Sequence, residues 1–147
     1  MSALYYCRQT TTACKGIPYP SKTHSYRYGT SGCVYTSGCG VCASLMALRN
    51  STTRVFNTRQ WTHRCLGMGA RAAEGTDMAV VARYMKEKYG LDYAITTDMD
   101  RLVAHLKQGY KAIINVSGGG KMLFSNSGHY VLAAGIDKNG NLIILDP

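Results

Sequence analysis

The stretch TSGCVYTSGCGVCASLMAL, Thr30–Leu48, holds the tetrapeptide TSGC twice, at Thr30–Cys33 and Thr36–Cys39, and then turns apolar. Ala43, Leu45, Met46, Ala47 and Leu48 predict a short helix that opens at Cys39 and ends near Asn50. Cys39 therefore stands at a helix start, between Gly38 and Gly40. A thiolate there faces unpaired N–H groups and the positive end of the helix dipole, an interaction of ~0.3–2 kcal/mol. The thiolate is the nucleophilic form of cysteine, and small flanking residues leave room for a substrate backbone. Cys42 lies about one turn further on and is expected to point into the fold, while Cys33 belongs to the preceding loop.

Composition narrows the alternatives. The chain has 147 residues, enough for one domain over 1–147 with a real core. Residues 1–36, rich in Tyr, Thr, Ser and Gly, are read as an irregular arm with a short strand near Leu4–Tyr6. MSALYYCRQTTT has no signal-peptide pattern and no run reaches the length of a membrane span, so a protein made in the cytoplasm is expected. The six cysteines are then expected to be mostly reduced. Seventeen Lys and Arg against eight Asp and Glu give a net charge of +9, which favours an anionic partner. The basic residues are dispersed, however, from Arg49 and Arg54 through Arg64 to Lys88.

After the apolar helix the pattern predicts helices at Thr58–Cys65, with Trp61 buried, and across TDMAVVARYMKEKYG. In the latter Thr76 or Asp77 caps, Met78, Val81, Ala82 and Met85 face the core, and Gly90 stops the helix. A strand at Tyr93–Thr96 leads to TDMDRLVAHLKQG, where Thr97 and Asp100 have capping-box spacing. KAIINVS reads as a buried strand and GGGKMLFSNSG as a flexible loop; GGGK lacks the spacing of a phosphate-binding loop. HYVLAAGID and NLIILD read as two strands joined near Asn139-Gly140. Helices first and an antiparallel sheet last make an α+β protein.

A nucleophilic thiol needs a base, and the base needs an orienting partner. His24, His63 and His105 fall in polar or amphipathic surroundings, whereas His129 begins an apolar strand and Asp146 ends its partner. A two-residue hairpin loop leaves these two side chains on one face but four residues out of register. A four-residue loop from Asp137 leaves two, about 7 Å on the diagonal, so the longer loop or a bulge is expected.

SGCGVCASLMAL followed by GHYVLAAGIDKNGNLIILDP resembles the papain-like cysteine peptidases, in the branch of the bacteriocin leader-processing (double-glycine) peptidases. The resemblance implies a papain-like fold, with Cys39 as nucleophile, His129 before Tyr130 as base and Asp146 before Pro147 as orienter. That family usually has an oxyanion-hole Gln six residues before the nucleophile, and here Cys33 holds that position. Gln9 and Gln60 stand far from it in sequence, so the Cys39 N–H is expected to be helped by Ser37, Thr36 or Tyr35.

Relatives of this shape trim leader peptides or cut cell-wall peptides, the latter including phage lytic enzymes. The small basic chain reads better as the lytic kind: a monomeric endopeptidase or amidase acting on the bacterial cell wall, with or without a separate wall-binding module. No cofactor and no nucleic-acid partner are expected. The rival reading is a non-catalytic module in which Cys33, Cys39 and Cys42 bind zinc with His24, His63 or Cys65 and the basic surface meets nucleic acid. Its Cys-x-x-Cys pair lacks a second pair at matching spacing, so no metal is expected.

Overall fold

The computed structural model describes residues 3–21, 32–116 and 129–147; GGGK and the SNSG loop, like His24, lie outside them. Six helices precede three strands among these residues: α1 (Thr12–Lys15), α2 (Val34–Ser37), α3 (Cys39–Ser51), α4 (Thr58–Gly67), α5 (Met78–Tyr89), α6 (Met99–Lys107), then β1 (Ala112–Val116), β2 (His129–Ile136) and β3 (Leu142–Leu145). The strands form one antiparallel sheet in the order β1-β2-β3. This is the α+β arrangement of a papain-like peptidase, with the helix that opens at Cys39 packed on the central strand.

The apolar stretch that begins at Val41 becomes the middle of the core. Val41, Cys42, Leu45, Met46 and Leu48 are fully buried and share a cluster with Leu132 and Ala134 of β2. Helix α4 clamps α3 through Trp61, whose Nε1–H donates to Ser44 Oγ at 2.9 Å. Ser44 Oγ in turn donates to the Gly40 carbonyl at 2.6 Å, so a buried polar chain runs from α4 to the first turn of α3. Burying such groups is tolerated because each has a partner. A reciprocal cap between Asn57 and Gln60 opens α4. Asp77 caps α5, accepting from the Ala79 and Val80 N–H groups, and Gly90 ends it at φ 70°.

Four expectations are corrected. The described residues before 36 are mostly irregular but do not form an arm lying apart: α1 and the start of α2 lie there, and Cys7, Cys14, Ile17 and Tyr19 are buried in the core. The segment at Leu4–Tyr6 is no strand; the Asn50 side chain meets the Tyr5 backbone instead, accepting from its N–H at 2.8 Å and donating to its carbonyl at 3.0 Å. Tyr93–Thr96 is no strand either. It lies exposed with no partner strand among the described residues, and β propensity works only on a pleated, half-buried surface. Asp98 caps α6, with the Asp100 N–H donating to its carboxylate at 2.9 Å; a charged acceptor beside the first turn outcompetes the Thr97–Asp100 box. Strand β1 is half-buried, as suits an edge.

Candidate active site

Two helices in tandem place Cys39. Helix α2 ends at Ser37, Gly38 makes the corner, and Cys39 opens α3. A Cβ on Gly38 would meet Val34 Cγ1 at 2.6 Å, and one on Gly40 would meet Thr76 Cβ at 2.6 Å. Both glycines therefore serve close packing inside the protein, a tighter use than the room for substrate read from the sequence. Thr76 is held in turn by Tyr19, the two hydroxyls lying 2.7 Å apart. Of the six cysteines five are buried, and Cys39 alone is partly exposed. Hydrogen bonding with Cys7 and burial push the Cys42 thiol well up, and burial pushes Cys65 up to about 12, so both keep their protons at neutral pH.

His129 opens β2, and Asp146 follows β3. His129 Nε2 lies 2.6 Å from Asp146 Oδ1, with the imidazole 18 % and the carboxylate 44 % exposed. The hairpin that brings them together differs from both loops considered. It spans Asp137 to Asn141, five residues, because Ile136 pairs with Leu142. Continued unbroken, that register would put Asp146 opposite Leu132, on the other face from His129. A bulge between Ala133 and Gly135 shifts the pairing to Leu132↔Leu145, so the next residue, Asp146, falls opposite Val131. That is two residues from His129 and on its face, so the bulge creates the pair. The arm helps hold this end, since the Tyr6 hydroxyl donates to the Asp146 carbonyl.

Hydrogen bonding to Cys39 is the largest influence on His129; with the bond to Asp146 it outweighs burial and raises the imidazole from 6.5 to about 9. With Nε2 committed to Asp146, Nδ1 is the ring nitrogen left for the thiol. The sign of the linkage follows. A raised histidine pKa contributes stability that is fully present below about 6.5 and lost as pH rises through about 9. The melting temperature should therefore fall more between pH 6.5 and 9 in the wild type than in His129→Gln, as differential scanning calorimetry would show; parallel falls would mean the histidine is not held charged.

The other residues expected around the oxyanion lie in or beside α2, and Gln9 contacts the same helix. Cys33 is buried beside Thr36, whose hydroxyl accepts from the Cys33 N–H at 3.1 Å. Ser37 is buried with its hydroxyl 3.1 Å from that of Thr36. The Tyr35 carbonyl accepts from Gln9 Nε2 at 3.0 Å, and the Tyr35 ring lies under the Lys15 ammonium. Gln9, expected to be poorly placed, is buried here, and its backbone N–H donates to the Pro147 carbonyl at 3.2 Å. It thus bridges the helix that leads into Cys39 and the residue after Asp146. No signal in sequence spacing marks it, because the arm reaches the site through tertiary contacts. Among the described residues no three His, Cys, Asp or Glu side chains gather as metal ligands.

Cys39 thus heads α3, and His129 at the start of β2 is bonded to Asp146 just after β3. A family model described as the Peptidase_C39 like family matches residues 14–147. The chain belongs to this family. No curated protein and no solved structure matches it. As a member of a C39-like peptidase family, it carries the family match across the whole sheet and every helix from Cys14 onward, while Gln9 lies ahead of the matched span. No helix among the described residues of this C39-like chain is long and apolar enough to cross a membrane.

Proposed function

We propose that the protein is a cysteine hydrolase that cleaves peptide or amide bonds in bacterial cell-wall peptidoglycan. One observation carries the catalytic part: the 2.6 Å bond between His129 Nε2 and Asp146 Oδ1, which leaves the other ring nitrogen for Cys39 at the head of α3. In this reading the Cys39 thiolate attacks the scissile carbonyl and forms a C–S bond. The His129 imidazolium gives its proton to the leaving nitrogen as the C–N bond breaks. Water, deprotonated by the now neutral imidazole, then attacks the thioester, and the C–S bond breaks to release the acid and restore the thiolate–imidazolium pair. Asp146 keeps the ring turned toward Cys39 throughout.

The tetrahedral oxyanion would be held by the Cys39 N–H, which as the first of α3 has no partner within that helix, and by Gln9. Gln9 Nε2 spends one hydrogen on the Tyr35 carbonyl and keeps a second. Gln9→Ala should lower kcat about 10²- to 10³-fold with little change in KM, the signature of a donor felt mainly in the transition state. Steady-state kinetics would read it, and an unchanged kcat would return the role to Ser37, Thr36 or Tyr35.

The cell wall is favoured as substrate by the net charge of +9, since wall polymers are commonly anionic. The test is to incubate the protein with purified peptidoglycan and identify the released fragments by mass spectrometry. Muropeptide release that depends on Cys39 is expected. Cleavage of a double-glycine leader peptide with nothing released from peptidoglycan would overturn the substrate assignment in favour of leader processing.

A further inference from the structure

The end of α3 remote from Cys39 carries a feature that the hydrolase reading leaves unused. Helix α3 runs 13 residues, so its two ends lie about 18 Å apart at 1.5 Å per residue. Beyond its last residue, Thr53, Arg54, Val55, Phe56 and Gln60 line an open cavity of about 520 Å³. Val55 is 75 % exposed. Behind the cavity stand four packed aromatic rings, Phe56, Trp61, Tyr84 and Tyr89, with neighbouring centroids 5.7–6.5 Å apart.

Two guanidinium groups lie on this aromatic wall. Arg54 sits 4.7 Å above the Tyr89 ring, and Arg64 sits 4.9 Å above Phe56 while donating to the Tyr84 hydroxyl at 3.1 Å. Stacking fixes the plane of a guanidinium and leaves its edge N–H groups available for bidentate bonds to phosphate. Both arginines are exposed, and among the described residues neither pairs with a carboxylate. Arg49, the third arginine nearby, is instead spent on the Tyr5 ring and the Phe56 carbonyl.

We infer that this surface is a docking site for a phosphodiester-linked polyol polymer of the cell wall, with Arg54 and Arg64 as its phosphate clamps. The inference rests on the cell-wall reading above. Charge complementarity selects a polyanion. The occupied ring faces select among polyanions, because single-stranded nucleic acid is gripped by stacking bases on free aromatic platforms. Here Arg54 covers Tyr89, Arg64 covers Phe56, Trp61 is buried and Tyr84 is half-buried with its hydroxyl taken by Arg64, so phosphate can be gripped while bases find little bare platform. Thr53 and Gln60 place hydroxyl and amide groups at the cavity for polyol oxygens, beside the apolar Val55.

The experiment is titration calorimetry with purified poly(glycerol phosphate), dextran as a phosphate-free control, and single-stranded DNA matched in phosphate concentration. The wild type should bind the polyol polymer, with affinity falling steeply as salt rises through ~0.1–0.3 M, should ignore dextran, and should bind DNA at least tenfold more weakly. Arg54→Gln/Arg64→Gln should lose at least tenfold in affinity, whereas Arg101→Gln/Lys107→Gln, which removes the same charge from α6, should lose less than threefold. DNA bound as tightly as the polymer, no polymer binding, or equal losses in the two double variants would each overturn the inference. The comparison of polymer with DNA uses the wild type alone, so it decides even where a variant misfolds. Cleavage of a soluble muropeptide is followed in parallel: hydrolysis without polymer binding sinks this inference alone, and polymer binding without hydrolysis sinks the hydrolase reading alone.

Discussion

Cys39→Ala is expected to abolish hydrolysis, a loss of about 10⁴- to 10⁶-fold that corresponds to roughly 5–8 kcal/mol of barrier. Alanine removes the only atom that could attack the carbonyl, and nothing else at the head of α3 replaces it. Cys42→Ala and Cys33→Ser should keep measurable activity, because both thiols are buried and Cys42 holds its proton firmly. A thiol reagent at neutral pH should label Cys39 first, since it is the one cysteine of six with exposed surface. Mass spectrometry of the labelled protein and kinetics of the three variants make the comparison. Preferential labelling of Cys33 together with an active Cys39→Ala would reverse the assignment.

The second large effect concerns the base and its orienter. His129→Ala should cost about 10³- to 10⁵-fold in kcat, because both the proton acceptor for the thiol and the proton donor for the leaving group disappear. Asp146→Asn should keep much of the activity, since a neutral amide oxygen can still accept from Nε2 and turn the ring. Asp146→Ala should lose more than Asp146→Asn and less than His129→Ala. The alkaline limb of kcat/KM in the wild type should sit near pH 9, where the imidazolium is lost. In Asp146→Asn it should move toward neutral pH, because the carboxylate is one of the groups that raise His129. A well-folded, fully active Asp146→Ala protein with an unmoved limb would mean that another group orients the ring.

Much of this arrangement could be read along the chain, wherever a local pattern carries the information. The apolar run after Val41 can only be satisfied as a buried helix, so Cys39 at its head followed directly. Asp77 and Gly90 bracket α5 because a side-chain acceptor and a left-handed residue are local requirements. Trp61 was placed in the core, where the protein buries it completely. His129 and Asp146 stood out as polar residues at the ends of apolar strands, and the family resemblance joined the same residues into one site.

Tertiary structure decided what no local pattern encodes. The Tyr93–Thr96 segment has strand composition but no neighbouring strand among the described residues, and without one its propensity has no hydrogen-bond ladder to act through. The first 36 residues lack periodicity, yet they bury Tyr19 and tie Gln9 to Tyr35 and Pro147, residues 26 and 138 positions away. Strand parity was the finest of these decisions. A five-residue hairpin alone would have set Asp146 on the wrong face, and one bulged residue, Ala134, turned it back toward His129. Residue types and their order determined which side chains could do the chemistry; whether they meet depended on loop length, bulge and arm, because these fix distances that sequence spacing leaves open.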